Sequence, residues 1–202
     1  LNFDYASGTL STASADEMMG HIRDRGLELS LILETHIHAD HLSSAPYIKE
    51  QLGGEIAIGA NITAVQETFG AIYGEGAGFR RDGTQFDRLL SDGDTFSVGS
   101  LTGRAIHVPG HTPACMAYLI EDLLFVGDTL FMPDAGTARC DFPGGDARAL
   151  YDSCQRLLSL PDETRVFVCH DYQPNGRPLA FESTVLEQRC GNLHVGAGIT
   201  AE

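Results

Sequence analysis

The segment 35–41 reads T-H-I-H-A-D-H and holds four residues of metal-ligand type: His36, His38, Asp40 and His41. Imidazole nitrogens and carboxylate oxygens together suit zinc, iron or manganese. Alternate side chains of an extended segment share a side, so His36 and His38 face one volume, and the following turn can aim Asp40 and His41 at it. A solvated polar loop is the competing interpretation, but a D-H pair directly behind H-x-H rarely arises by chance. We therefore predict a metal site here.

Three further residues of metal-ligand type each follow an apolar run that predicts a β-strand: His111, Asp128 and His170. His111 follows V-P-G, Asp128 follows the glycine of G-D-T, and His170 follows R-V-F-V-C. Any one of them, taken alone, would more often be structural. In α/β proteins the ends of strands on one side of the sheets build the site. We therefore predict that these three side chains meet those of segment 35–41.

The elements that must position these residues alternate short apolar runs with amphipathic stretches, which is typical of an α/β domain. From Thr95 to Val126 the pattern favours antiparallel strands. We predict helices at 14–26, 46–52, 61–69, 146–160 and 181–188. We predict strands at 29–33, 55–58, 95–98, 101–108, 116–120, 123–126 and 165–169. Because no repeat, low-complexity tract or linker is visible, we predict a single domain over 1–202.

Composition excludes several classes of partner. The formal net charge of −15 argues against nucleic acid or an anionic membrane surface as the main partner. No apolar run approaches the roughly 18–20 residues that cross a bilayer. Five cysteines without a C-x-x-C pair indicate free thiols in a reducing compartment, so we expect a cytoplasmic protein.

The combination of T-H-x-H-x-D-H, G-H-T-P, G-D-T and a strand-terminal histidine resembles the metallo-β-lactamase superfamily over nearly the whole chain. The resemblance implies an α/β fold, an αββα sandwich of two mixed sheets with helices outside and metal at one edge. Members usually begin with one or two more strands and continue further at the other end. We therefore expect residues 1–202 to lack some terminal residues of the full-length protein.

Within that superfamily the chain resembles the persulfide (sulfur) dioxygenases, which are relatives of glyoxalase II. Segment 127–145, GDTLFMPDAGTARCDFPGG, carries most of this narrower match, with G-H-T-P-A-C, C-H-D-Y and E-S-T-V. The resemblance implies one Fe(II) held by His36, His111 and Asp128, with glutathione persulfide and O₂ converted to sulfite and glutathione during sulfide oxidation. Iron supplies redox chemistry that zinc lacks. The remaining ligand-type residues would orient ligands and water: His38, Asp40, His41 and His170.

Two alternatives stay open. In the related thioester hydrolases the same seven residues hold two zinc, iron or manganese ions bridged by Asp128, and a metal-bound hydroxide attacks a substrate such as S-lactoylglutathione. The sequence does not separate one metal ion from two. A minor alternative is a metal-binding module without catalysis, against which the complete ligand set argues.

The sequence gives weaker evidence for the residues that bind the substrate. Glutathione carries two carboxylates, and Arg is the residue best suited to pair with them. Arg139 is the first candidate, Arg177 the second, and Tyr172 could hydrogen-bond the tripeptide. A surface ion pair is an equally open interpretation for each Arg. Asp141 and Asp171 are expected to orient Arg139 or a ligand histidine, and a homodimer is left open.

Overall fold

The computed structural model describes residues 1–37 and 42–200. Its strands are β1 (Asn2–Asp4), β2 (Thr9–Ser11), β3 (Leu31–Leu33), β4 (Glu55–Gly59), β5 (Arg88–Leu90), β6 (Thr95–Val98), β7 (Leu101–His107), β8 (Met116–Ile120), β9 (Leu123–Phe125), β10 (Arg165–Phe167) and β11 (Glu182–Thr184). Its helices are α1 (Ala13–Asp24), α2 (Ala45–Leu52), α3 (Ile62–Ile72), α4 (Ala147–Leu158) and α5 (Val185–Gly191).

Two sheets form the centre of the fold. The larger has the order β11-β10-β9-β8-β7-β6 and is mixed, because β9 and β10 run parallel while the other neighbours are antiparallel. The smaller has the order β3-β4-β5, with all its described strands parallel. A separate hairpin joins β1 to β2. Since β9 and β10 are parallel neighbours, their carboxyl ends place Asp128 and His170 side by side.

The sheets face each other across an apolar layer. Ala57 and Leu90 of the smaller sheet meet Ala105, Met116 and Tyr118 of the larger one. The ring of Tyr118 is buried, and its hydroxyl donates a hydrogen bond of 2.7 Å to the carbonyl of Glu34, just beyond β3. Packing between the sheets therefore fixes the carboxyl end of β3, from which the 35–41 segment starts.

Helices cover the outer faces. Leu150, Cys154 and Leu157 of α4 pack with Val185 of α5 on the larger sheet, where they contact an apolar cluster that includes Val126. Helices α1 and α2 cover the smaller sheet through a cluster that includes Met19 and Ile48. The predicted α/β architecture of two sheets with outer helices is confirmed. No helix in the described part of the chain is long and apolar enough to span a membrane.

Several predicted boundaries are wrong. The predicted helix 181–188 is in fact strand β11 followed by α5, because Glu182–Thr184 pairs antiparallel with β10. Thr184 then begins the helix through a capping box, in which its hydroxyl accepts from the Glu187 N–H and Glu187 accepts from the Thr184 N–H. Helix α1 begins after Thr12 rather than Ser14. The hairpin β1–β2 and the short strand β5 were not predicted.

Candidate metal centre

A glycine contact brings His36 and Asp128 together. Gly127 has φ +55°, and a Cβ at this position would lie 2.8 Å from the Thr35 side chain. A larger residue would therefore force the carboxyl end of β9 away from the segment that follows β3. Glycine also tolerates the left-handed conformation that this tight turn requires. The sequence pattern G-D-T thus has a structural reason: it lets Asp128 approach His36 across the two sheets.

His111 is positioned by close contact with α4. Gly110 has φ +136°, and a Cβ there would lie 2.3 Å from the Leu150 backbone. Its carbonyl accepts a hydrogen bond of 2.8 Å from the N–H of Asp146, the N-cap residue of α4. His111 follows directly, with its side chain buried. The first turn of α4 and the G-H-T-P turn therefore form one packed unit.

A main-chain carbonyl sets the orientation and tautomer of His111. Its Nδ1 lies 2.6 Å from the carbonyl oxygen of Arg139, and because that oxygen can only accept, Nδ1 carries the proton. The lone pair is then on Nε2, the nitrogen that faces Asp128. Burial lowers the pKa of His111 below its ordinary value, although the carbonyl of Arg139 and the charge of Asp128 favour protonation. The neutral imidazole is the form that binds metal ions.

Asp128 lies at the meeting point of three imidazoles. Its Oδ2 is 3.6 Å from Nε2 of His36 and 3.7 Å from Nε2 of His111, and its Oδ1 is 3.5 Å from Nε2 of His170. One donor atom from each of His36, His111 and Asp128 lies within 4.8 Å of the others. The structure thus brings these predicted residues together, and their role as metal ligands stays a prediction.

The donor geometry fits a metal ion. Ligand atoms bound at about 2.1 Å to a tetrahedral or octahedral ion lie roughly 3.0–3.4 Å apart, close to the separations around Asp128. Oδ1 of Asp128 is buried and accepts no hydrogen bond from any residue that the structure describes. Such an atom calls for an ion or a water molecule. Burial alone would raise the pKa of Asp128, but the facing imidazoles of His36, His170 and His111 lower it below the ordinary value, so the carboxylate is anionic.

His170 and Tyr172 form the open side of the site. His170 is about half exposed, whereas His36 and Asp128 are buried. The Tyr172 ring is exposed, stacks near His170 with centroids 6.3 Å apart, and meets the Phe131 ring edge-on at 5.2 Å. Tyr172 therefore lies where a ligand approaching Asp128 from solvent would pass. Its predicted role in substrate binding remains a prediction.

Arg139 presents its guanidinium to solvent next to the site. The guanidinium carbon lies 4.3 Å from the centre of the Phe142 ring, and that ring meets His111 edge-on at 5.4 Å. Asp141 is also exposed, and its contact with Arg139 is a long one of 3.7 Å. Asp141 is therefore close enough to bias the orientation of Arg139 but too exposed to neutralise it strongly, and its orienting role stays a prediction.

Arg177 is engaged with two acidic partners, Asp134 and Asp171, while its role in substrate binding stays a prediction. Its guanidinium donates to both carboxylate oxygens of Asp134, at 2.6 and 2.8 Å, and to both of Asp171, at 2.7 and 2.6 Å. Such a paired guanidinium has little capacity left for a substrate carboxylate, so the ion-pair interpretation is favoured. Asp171 orients Arg177 and accepts the Ala180 N–H, rather than orienting Arg139 or a ligand histidine.

The remaining predicted ligands are His38, Asp40 and His41, and they lie outside the described residues. Sequence reasoning missed two contributors to the site. Phe142 lies between Arg139 and His111, and His194, which lies in none of the sequence motifs, accepts a hydrogen bond from the Thr137 N–H. His194 has no local signature, because its partner Thr137 is 57 positions away in sequence and is brought to it by folding.

Comparison with known protein families gives one match that covers most of the chain. The family model described as the metallo-beta-lactamase superfamily matches residues 8–170. This span contains every predicted metal-ligand residue, from His36 to His170.

Three curated relatives with hydrolase names show the similarity. A Burkholderia pseudomallei protein named probable metallo-hydrolase is 53% identical over 100% of this chain and 72% of its own length. A beta-lactamase hydrolase-like protein of Xylella fastidiosa is 52% identical over 98% of this chain, which spans only 46% of that protein. A hydroxyacylglutathione hydrolase of Methylococcus capsulatus is 34% identical over 85% of this chain and 60% of its own length.

Two solved structures are similar throughout the fold. ETHE1 from Myxococcus xanthus superposes with a TM-score of 0.74 and 29% identity, covering 94% of this chain and 72% of that one. TTHA1623 in a di-iron-bound form gives a TM-score of 0.65 and 27% identity, covering 89% of this chain and 84% of that one.

Proposed function

Because the chain belongs to the metallo-beta-lactamase superfamily, we propose that it is an Fe(II)-dependent persulfide dioxygenase that oxidises glutathione persulfide with O₂ to sulfite and glutathione. One observation carries this proposal. Among the described residues, the group of metal-ligand type whose donor atoms converge consists of two imidazoles and one carboxylate, from His36, His111 and Asp128. Two histidines and one carboxylate form the facial triad of non-haem Fe(II) oxygenases.

The proposed reaction balances. The persulfide, O₂ and one water molecule give glutathione, sulfite and two protons, with the S–S bond broken and three oxygens on the terminal sulfur. The two sulfur atoms together lose four electrons, and O₂ accepts four. When bound, iron supplies the one-electron redox steps and the coordination positions that bring O₂ and sulfur together.

The residues of the chain contribute charge, orientation and exclusion of water. At neutral pH Asp128 is already anionic and His111 is already neutral. Neither side chain therefore has to lose a proton before its oxygen or nitrogen atom binds a metal ion. The carbonyl of Arg139 holds the His111 ring in one orientation. Because the side chains of His36, His111 and Asp128 are largely buried and that of His170 is about half exposed, we propose that the substrate enters on the His170 side and displaces water there.

Arg139 is the residue we propose for binding a glutathione carboxylate. Its guanidinium is mostly exposed and lies on the Phe142 ring, which packs against His111. A carboxylate bound there would be held beside the metal centre but not on it, so that a sulfur atom at the other end of the substrate could reach the metal. Tyr172, whose ring lies near His170, could donate its hydroxyl to the same tripeptide.

Thioester hydrolysis is the second candidate, and a specific observation favours it. His170 faces Oδ1 of Asp128, while His36 and His111 face Oδ2. A carboxylate placed between two sets of imidazoles could bridge two metal ions, as a binuclear hydrolase requires. The hydroxyacylglutathione hydrolase among the relatives also makes a glutathione thioester a reasonable substrate.

We further propose that the chain is one domain and acts in a reducing cytoplasm. All five cysteines are free thiols in the structure. Free thiols persist where the glutathione pool is reduced, which is also where glutathione persulfide would form.

The decisive experiment measures O₂ uptake by freshly reduced, iron-loaded protein given glutathione persulfide, with sulfite assayed in parallel. We expect O₂ consumption and sulfite formation in equal amounts. The matched control is Asp128→Asn protein prepared in the same way. Absence of O₂ uptake by a wild-type sample verified to contain iron would contradict the proposal, and release of glutathione from S-lactoylglutathione by that sample would establish the hydrolase instead.

A further inference from the structure

The loop formed by residues 131–139, here called the 131–139 loop, touches two histidines of the metal centre. At one end the Phe131 ring meets His170 edge-on, with centroids 6.2 Å apart. At the other end the Arg139 carbonyl holds Nδ1 of His111. The conformation of this loop therefore bears on ligand-type residues from two different strands.

Two buried amides near the carboxyl end of the chain anchor the loop. Nε2 of Gln188, on α5, donates to the Phe131 carbonyl at 2.7 Å. Nδ2 of Asn192 donates to the Gly136 carbonyl at 3.0 Å, and also to Oε1 of Gln188 at 2.7 Å. Both amides are fully or almost fully buried. They hold the main chain of the loop at Phe131 and Gly136. The stretch between Gly136 and Arg139 is held by a different contact.

His194 supplies that contact. Its Nδ1 lies 3.0 Å from the Thr137 main-chain nitrogen, and since an N–H can only donate, Nδ1 is the acceptor. Its ring also packs on Gly136, where a Cβ would lie 2.4 Å from Nδ1. His194 in turn is fixed by its own N–H, which donates to Oδ1 of Asn192 at 2.9 Å. Thr137 is two residues before Arg139, so this bond holds the chain just ahead of the carbonyl that orients His111.

We propose that His194 is a positioning residue for the metal centre: by accepting the Thr137 N–H it fixes the Arg139 carbonyl, and through that carbonyl the His111 ring. The inference rests on the proposed metal centre, in which His111 is a ligand, but not on which reaction that centre performs. An outer partner of a metal-binding histidine fixes its ring and raises its basicity. Here the partner is a carbonyl, and His194 acts one step further out by holding the segment that carries it.

The test uses Co(II) alone as a probe, because its visible absorption reports the coordination geometry without requiring turnover. Purified wild-type, His194→Leu and His194→Asn proteins are stripped of metal and titrated with Co(II). We expect the Leu variant to bind Co(II) roughly threefold to tenfold more weakly and to shift its visible bands, a smaller loss than the 10–100-fold of a direct outer partner. Asn places an acceptor oxygen close to the position of Nδ1, so we expect that variant to restore the wild-type affinity and spectrum.

A second pair of variants tests the same contact from the loop. Gly136 and Gly198 both have positive φ, +83° and +85°, so Ala at either position costs similar backbone strain. A Cβ at Gly136 would meet the His194 ring, whereas a Cβ at Gly198 meets nothing within 4 Å. We expect Gly136→Ala to change the Co(II) spectrum in the same direction as His194→Leu, and Gly198→Ala to leave it unchanged.

Thermal unfolding of the metal-free proteins separates positioning from general damage. His194 is exposed, so we expect His194→Leu and His194→Asn to melt within about 4 °C of each other. If wild-type protein binds Co(II) and His194→Leu matches it in affinity and spectrum, the inference is wrong while the metal centre stands. If wild-type protein binds no Co(II), the metal centre itself is overturned, and the inference with it.

Discussion

Asp128 combines a negative charge with two oxygens that face different histidines. We expect Asp128→Asn to lose metal and activity together, each by at least about 100-fold, since it removes a ligand charge rather than an outer partner. Metal content by elemental analysis and turnover of glutathione persulfide measure the two effects. Asp141→Asn, which removes an exposed carboxylate from the neighbouring loop, is the matched control and should retain full metal content. Full turnover by Asp128→Asn would contradict every metal-dependent function proposed for this site.

Arg139 and Arg177 differ in what their guanidinium groups already contact, and this difference predicts opposite mutant behaviour. Removing a charged hydrogen bond to substrate costs about 1.5–3 kcal/mol, so we expect Arg139→Ala to raise KM at least tenfold with little change in kcat. Metal content should stay unchanged, because the carbonyl of residue 139 remains. Arg177→Ala should instead lower thermal stability, since it leaves Asp134 and Asp171 unpaired. A raised KM in Arg177→Ala, without one in Arg139→Ala, would contradict the proposal that Arg139 and not Arg177 binds the substrate.

Residue type and spacing were enough to predict that His36, His111 and Asp128 lie together, because each follows a strand and each is a poor choice for packing. The ion pairs of Arg177 could not be predicted from residue type and spacing. One of its partners, Asp134, is 43 positions away in sequence, and nothing local marks the pair. His194 was missed for a related reason: its partner is a main-chain N–H, which every residue except proline offers.

At the scale of elements, the connection between β10 and β11 depends on the carboxylate of Asp171. The Arg177 guanidinium and the N–H groups of Ala180 and Gln173 hold the pKa of this carboxyl well below its ordinary value. The unfolded chain then binds a proton more readily than the folded one, so the stability that Asp171 contributes is fully present above about pH 4 and is lost as the pH falls through the lowered pKa.

We therefore expect acid to destabilise wild-type protein more steeply than Asp171→Asn between about pH 4 and pH 2. Urea unfolding followed by circular dichroism measures this, because the chain has no Trp to serve as a fluorescence probe. At pH 7 the variant should be the less stable of the two. Equal slopes in acid would mean that the ion pair with Arg177 does not persist in solution.

The elements show where sequence patterns succeed. Helix α4 was predicted closely because its apolar stripe and its Asp146 cap agree. The prediction of one helix over 181–188 was wrong because Glu182–Thr184 pairs with β10. The capping box at Thr184 then starts a helix immediately afterwards. Strand pairing is decided by a partner elsewhere in the chain, so propensity within a window of a few residues does not determine it.

At the scale of the whole molecule, the free cysteines report the integrity of the apolar layer between the larger sheet and helix α4. Burial raises the pKa of Cys115 to about 11 and that of Cys154 to about 12, whereas Cys190 is exposed. We expect iodoacetamide at pH 8 to label Cys190 within minutes, and to label Cys115 and Cys154 only after denaturation. Peptide mass spectrometry gives the order, with guanidinium-unfolded protein as the control. Rapid labelling of Cys154 in the native protein would contradict the packing of α4 on the larger sheet.

The general architecture followed from alternation of strand and helix patterns, and the family followed from the ligand motifs. The order of strands did not follow from either. Whether β9 pairs with β10 in parallel depends on the crossover through α4, and α4 packs on the sheet through Leu150, Cys154 and Leu157. Such pairings depend on the three-dimensional packing of the complete set of elements, which no single segment encodes.

Arg139 contributes to the centre through its main chain and faces solvent with its side chain. The carbonyl that orients His111 is present whichever amino acid occupies position 139. Evolution could therefore exchange the side chain, and with it the charge offered to the proposed substrate, while the hydrogen bond on His111 is kept. The same separation offers protein engineers a position at which specificity can be varied by saturation mutagenesis without rebuilding the metal centre.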